Sequence, residues 1–276
     1  MTSTKRALVV LSGGQDSTTC LYLAKARGYE IHAVTFDYNQ RHRREIDAAV
    51  KISAMAEVSS HEIIKLGPIL KGTSPLVSDA PLEQYKDHTS LPGGLEKTFV
   101  PMRNQLFLTI AANRAVCLDC DTIVTGVSEE DYGGYPDCRR GFLRSLEEAT
   151  NRGTYPNYPQ CKGEDEGATR GLTLWAPLIH LTKKKEVLLS VSLPGCYAAL
   201  AWSHTGYDGE YPPTGKDHAT LLRAKGFEEA DVPDPLVVRA VYNGLMPRPR
   251  SANYRDELYE RACKLLATDG GLLDAP

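Results

Sequence analysis

Apolar, β-branched runs recur along this chain with amphipathic stretches between them. "RALVVL" (6–11), "IHAVTF" (31–36), "HEIIKL" (61–66) and "DTIVTG" (121–126) read as strands. The segments between carry helical spacing: about Ser17 to Arg27 with Gly28 as a C-terminal stop, "REIDAAVKISAMAEV" (44–58) and "RNQLFLTIAANRAVCL" (103–118). Strands alternating with helices predict an α/β fold built on a parallel sheet covered on both faces. Ligands of such sheets bind beyond the carboxyl ends of the strands, which marks Ser12, Phe36 and Gly126. Residues 66–98 hold many Pro, Gly and Ser and read as one long loop, a feature that is often functional in a compact domain. Past about residue 180 the pattern turns helical, with an irregular stretch from Ser203 to Asp217. The expected division is an α/β domain over 1–182 and a helical region over 183–276.

Composition narrows the function classes. With 276 residues, 42% hydrophobic, the chain suits one large unit or a core with a small second domain. A net charge of −3 gives no global attraction to nucleic acid or membranes, so no direct nucleic-acid partner is expected. There is no apolar run of membrane-spanning length, and "MTSTKRALVV" enters a strand instead of a signal-peptide core, which predicts a soluble, cytoplasmic protein. Seven cysteines, an odd number spread through the chain, argue against a disulfide framework. "CLDC" (117–120) has no second pair at zinc spacing and reads as a packed helix end.

The chemistry concentrates where the first strand runs into "SGGQDS" (12–17). A Gly-Gly turn at a helix N-terminus offers converging backbone N–H groups and partial positive charge, which suit an anion. The lysine of a P-loop and the G-x-G-x-x-G of a dinucleotide turn are both missing. Asp16 beside phosphates is tolerable only with a bridging cation, which points to Mg²⁺. Such a turn would grip the β- and γ-phosphates and leave the α-phosphorus open to attack. An ordinary strand–helix turn with an Asp cap is the plainer alternative.

SGGxDS after a first strand resembles the pyrophosphate loop of the adenine-nucleotide alpha-hydrolase fold, a Rossmann-like parallel sheet shared by GMP, asparagine and NAD synthetases and tRNA thiolases. Three further stretches, "TFDYNQRHRREI" (35–46), "FVPMRNQLFLTIAA" (99–112) and "GVSEEDYGGYPDCRRGF" (126–142), resemble the 7-cyano-7-deazaguanine synthases of the queuosine pathway. The resemblance implies conversion of 7-carboxy-7-deazaguanine and ammonia to the nitrile with two ATP, through an adenylylated acid, an amide and an adenylylated amide. Alternatives within the same chemistry stop at the amide or pass the acyl group to another amine, such as a protein's. A non-catalytic nucleotide-binding relative is a third reading. The resemblance also implies small-molecule substrates, ATP and Mg²⁺, and a homodimer.

Residue by residue, the resemblance assigns nucleotide contacts to Leu11, Ser12, Gly13, Gly14, Gln15, Asp16, Ser17, Phe36, Arg41 and Gly126. His42 stands beside Arg41 as a possible phosphate contact or a plain surface residue. Arg103 has the fork to hold a carboxylate or phosphate, against a capping role. Lys183 is a candidate for the polyphosphate or the adenylate, with Lys184 and Lys185 suggesting a solvated basic face instead. Asp137 matches the N1–H and 2-amino donors of a guanine edge, or caps the helix beginning at Arg139. Tyr38, Tyr135 and Pro136 complete the expected substrate contacts, with Tyr135 stacking on the base. Asn39 and Met102 stand where relatives usually have Gly, which is expected to add bulk near the site.

Relatives also carry four zinc cysteines spaced C-x7-C-x2-C-x2-C before an "LLRAKGF"-like helix. Here the frame holds Gly206, Thr214, Asp217 and Thr220, none of them a thiolate. The expectation is an ordered loop over 203–220 without zinc, held by Asp217 as a helix cap, by Pro212 and Pro213, and by packing of Tyr207 and Tyr211.

Overall fold

The computed structural model describes residues 5–41, 43–91, 94–129, 134–156, 158 and 171–272. Five parallel strands form one sheet: β1 (Arg6–Val10), β2 (Glu30–Asp37), β3 (Ser60–Lys65), β4 (Thr122–Val124) and β5 (Thr173–Trp175), in the order β3-β2-β1-β4-β5. Between them run α1 (Gln15–Ala26), α2 (Arg44–Met55), α3 (Arg103–Cys117) and α4 (Arg140–Thr154). The chain continues through α5 (Lys183–Ser192), α6 (Cys196–Leu200), α7 (His218–Glu229), α8 (Pro235–Tyr242) and α9 (Asp256–Thr268). Among the described residues no helix is long and apolar enough to cross a membrane.

The alternation of β1 explains the layering. Ala7, Val9 and Leu11 point into one core with Leu21, Ile52, Leu178, Leu200, Phe227 and Leu266. Leu8, between them, points to the opposite face with Val34, Leu108, Ile123 and Leu143. The first core joins α1 and α2 to the helices beyond residue 183, so those helices cover the sheet and share its interior. Burying a side chain such as Phe227 stabilises the fold by about 1.5–3 kcal/mol, so much of the C-terminal region's stability comes from this shared face.

Three details differ from the sequence expectation. β3 is an edge strand with no described partner on its outer side, and Ile63 is 36% exposed. β5 goes unread in the sequence: like β4 it has three residues, but of its "TLW" only Thr173 is β-branched, so it lacks the signal that marks "TIV". Helix α1 begins two residues earlier than expected, at Gln15, and ends as expected before Gly28, whose φ of +78° turns the chain.

The strand order reverses between β1 and β4. Chains leaving these two strands diverge to opposite sides and open a crevice at the carboxyl edge. The register pairs Val10 with Val34 and Val9 with Val124, so Leu11, Thr35 and Thr125 emerge on the same edge.

Candidate active site

The crevice is a cavity of about 320 Å³. Its floor is the turn after β1. Gly13 adopts φ +83°, and a Cβ there would lie 2.2 Å from the Glu45 carbonyl oxygen, so only glycine lets the turn meet α2 this closely. The Ser12 and Ser17 hydroxyls lie 3.0 Å apart, and the Gly14 N–H donates to Ser12 Oγ at 3.3 Å, which fixes the turn's shape. Gly14 caps α1 with backbone alone, so no side chain takes up the first N–H groups of that helix. An acceptor-rich anion fits that end. Gly126 sits where a Cβ would come within 2.8 Å of the Ser17 nitrogen, so its lack of a side chain brings the end of β4 against α1.

Asp16 faces the cavity from the first turn of α1, and Lys183 Nζ lies 2.8 Å from its Oδ2. The same ammonium is 2.9 Å from Glu186 Oε2, a side chain 1% exposed and one helical turn along α5. Lys183 is therefore drawn inward, while Lys184 and Lys185 are exposed as the basic-face alternative had it. Gly226 of α7 makes room, since a Cβ there would meet Lys183 Cβ at 2.9 Å.

Aromatic residues form another part of the cavity wall. Phe36 and Phe107 stack at 4.4 Å between centroids, and Tyr38 tilts against Phe107 at 5.2 Å. Phe107 lies one turn after Arg103 on α3, so the same helix face supplies both. Burial works against the charge of Arg103, but Tyr38, Tyr135, Tyr207 and Asp137 around it outweigh that cost and raise its pKa further. Tyr135 bonds Thr98 Oγ1 at 2.6 Å and leans on Phe99.

Most of the expected contacts meet here: Leu11, Ser12, Gly14, Gln15, Asp16, Ser17, Phe36, Tyr38, Arg41, Arg103, Gly126, Tyr135 and Lys183 all line the cavity. Gly13 lies behind the wall, against α2. Pro136 and Asp137 are off the wall: Asp137 is buried and accepts from the Asn104 N–H at 3.4 Å, in the first turn of α3. Its carboxyl is pushed up by burial, with Arg103 pulling the other way. The contact it makes is with the start of α3, not of α4, where the Arg140 N–H goes to Glu129 instead. His42 lies outside the described residues. Asn39 and Met102 do not line the cavity; their φ values of 62° and 67° show that these positions need a left-handed backbone, which is the physical reason a glycine suits them.

The sequence reading missed the wall contributed by the irregular stretch. The His204 N–H donates to the Gly13 carbonyl at 2.9 Å, and His204, Thr205 and Tyr207 line the cavity together with His218 and Arg223 of α7. The frame positions of the zinc site are otherwise engaged. Asp217 Oδ1 accepts from the Thr220 N–H at 3.0 Å and caps α7, and Thr214 donates to Asp208 at 2.6 Å. Tyr211 accepts from Arg239 Nε at 2.9 Å, and that guanidinium also lies 4.0 Å from the Trp202 ring. A glycine, two threonines and a capping carboxylate do not make a tetrahedral N/S donor set, so these residues do not fit zinc.

A family model described as "Queuosine biosynthesis protein QueC" matches residues 6–231. The 7-cyano-7-deazaguanine synthase of Gloeobacter violaceus is 50% identical over 234 residues, which is 84% of this chain and 95% of that protein. The synthase of Chromobacterium violaceum is 46% identical over 241 residues, 86% of this chain and 95% of that one. That of Laribacter hongkongensis is 46% identical over 238 residues, with 85% and 95% covered.

Proposed function

This chain belongs to the QueC family of queuosine biosynthesis proteins, and on that premise we propose that it makes 7-cyano-7-deazaguanine from 7-carboxy-7-deazaguanine, ammonia and ATP. The observation that carries the reading is one cavity holding the phosphate-ready turn of residues 12–17, the Arg103 fork and an aromatic wall. The uncapped start of α1 and the Ser12 and Ser17 hydroxyls would receive the β- and γ-phosphates, leaving the α-phosphorus toward the open crevice. Asp16 is the residue that would hold Mg²⁺, which when bound neutralises charge on the departing pyrophosphate. Lys183, already aimed at Asp16, adds positive charge on the same side.

Phe36, Tyr38 and Phe107 offer flat apolar surface to a fused heterocycle, and Arg103 would hold its carboxylate against the α-phosphorus. Two adenylylations need only one phosphate cradle, because each brings an oxygen of the same substituent to the same phosphorus. The proposal includes a homodimer, as the family resemblance implies, and, from the net charge and the absence of a signal-like segment in the sequence, no nucleic-acid contacts and a cytoplasmic setting. Incubation with ATP, ammonia and 7-carboxy-7-deazaguanine, followed by mass analysis, tests it. The nitrile, with AMP and pyrophosphate, is the expected product. The amide alone, or a conjugate to a protein amine, would replace this reading with one of its alternatives.

A further inference from the structure

Three carboxylates of the described residues line the cavity: Asp16, Glu45 and Glu129. Asp16 is held by Lys183 at 2.8 Å. Glu129 accepts from the Arg140 N–H at 2.7 Å and lies 3.4 Å from His180. Of the three, only the Glu45 carboxylate accepts no hydrogen bond from a described residue. The two histidines on the wall do not compete with it. His204 directs Nε2 at the Gly206 carbonyl, 2.8 Å away, and the buried Nε2 of His218 faces Glu96 at 3.7 Å.

Glu45 sits in the first turn of α2, with its backbone carbonyl against Gly13, beside the phosphate-ready turn. The ionisable groups facing it are Arg103 of α3 and Tyr38 after β2. Burial pushes its carboxyl up to about 7, against the opposing pull of Arg103. Half of such a group is ionised near neutrality, the condition under which a base both accepts and releases protons efficiently.

We infer that Glu45 is the proton acceptor for the nitrogen nucleophile, a role that rests on the synthase reading above. Near neutral pH ammonia is mainly ammonium and has no lone pair. Transfer of one proton to the Glu45 carboxylate frees the pair to attack the acyl carbon. A C–N bond forms, the C–O bond to AMP breaks, and AMP leaves with its electrons. The surplus proton on nitrogen passes to Glu45 after the first has gone to solvent. In the second round the amide oxygen attacks the α-phosphorus and pyrophosphate leaves. The remaining N–H protons are then lost by the same route as AMP departs with the oxygen, and C≡N results.

Glu45→Gln tests the role by splitting the reaction. Pyrophosphate exchange dependent on the deazaguanine acid should stay within about 3-fold of the native protein, while amide and nitrile formation fall at least ~100-fold at pH 7. Hydroxylamine, neutral at that pH, should restore acyl transfer and give the hydroxamate. The deficit should narrow as pH rises and free ammonia grows. A fold control comes from the sign of the same pKa. A carboxyl raised to about 7 in the folded state contributes stability present below its unfolded value and lost as pH rises through 7, so the Gln variant should melt no lower than the native protein at pH 8. Parallel loss of exchange and amide formation, or unchanged nitrile formation, overturns the role. So does a clear fall in melting temperature at pH 8. Absence of acid-dependent exchange in the native protein instead overturns the synthase reading, and the role with it.

Discussion

Lys183 illustrates how one residue's meaning depends on its neighbours. Three consecutive lysines suggest a solvated face, yet Glu186, buried one turn further along α5, draws the first of them toward Asp16. The spacing Lys-x-x-Glu was visible in the sequence, but nothing there said that Glu186 would be buried. The pair holds the Asp16 carboxylate at the cavity wall. Asp16→Asn should therefore lower turnover by at least ~100-fold, the scale of losing a principal electrostatic stabiliser, with little change in melting temperature. Steady-state product formation and a thermal melt on the same preparation check this. Near-normal turnover would remove the metal role. Met102 is the opposite case: its departure from glycine reads as added bulk in the cavity, whereas the constraint is on the backbone, at φ 67° just before Arg103.

At the scale of elements, the site depends on how closely β4 approaches the start of α1. Gly126 is the contact: a Cβ would stand 2.8 Å from the Ser17 nitrogen and 3.0 Å from the Asp16 carbonyl carbon, both backbone atoms that cannot swing aside. Gly126→Ala should cost about 1–3 kcal/mol and weaken ATP binding, because relief requires moving the first turn of α1. Gly141, in the first turn of α4 with nothing near its missing Cβ, is the matched control, and its Ala variant should be neutral or slightly stabilising. Denaturant midpoints and calorimetric titration with ATP check both. Equal effects of the two substitutions would show that the close approach of β4 does not matter.

For the whole molecule, the helices beyond residue 183 complete the cavity as well as the core. Arg223 of α7 holds this arrangement: it is 3% exposed, pairs with both oxygens of Asp234 at 2.7 and 2.8 Å, and donates to Ser203 and Thr205 at 2.7 and 2.9 Å. That network, with the Asp217 cap and the contact from His204 to Gly13, anchors the loop over 203–220 where relatives are expected to use zinc. Protein purified without added metal should therefore carry well under one zinc per chain by elemental analysis. Zinc-selective chelation with Mg²⁺ in excess should leave activity unchanged. About one tightly held zinc per chain, or loss of activity on chelation, would overturn this.

The sequence by itself determined the alternating strands and helices, the turn of residues 12–17, and the motifs that place the chain in its family. These signals are local: a strand period, a glycine pair before a hydroxyl-rich helix, and short motifs in a fixed order. It did not determine the third wall of the cavity, since the contact of His204 with Gly13 joins residues far apart in the chain and obeys no period. Nor could it say that Asp137 turns toward α3 or that, of the three cavity carboxylates, Glu45 is the one with no hydrogen bond from a described residue. Those outcomes depend on which side chains are buried together and which partners reach them, and only the tertiary structure decides that.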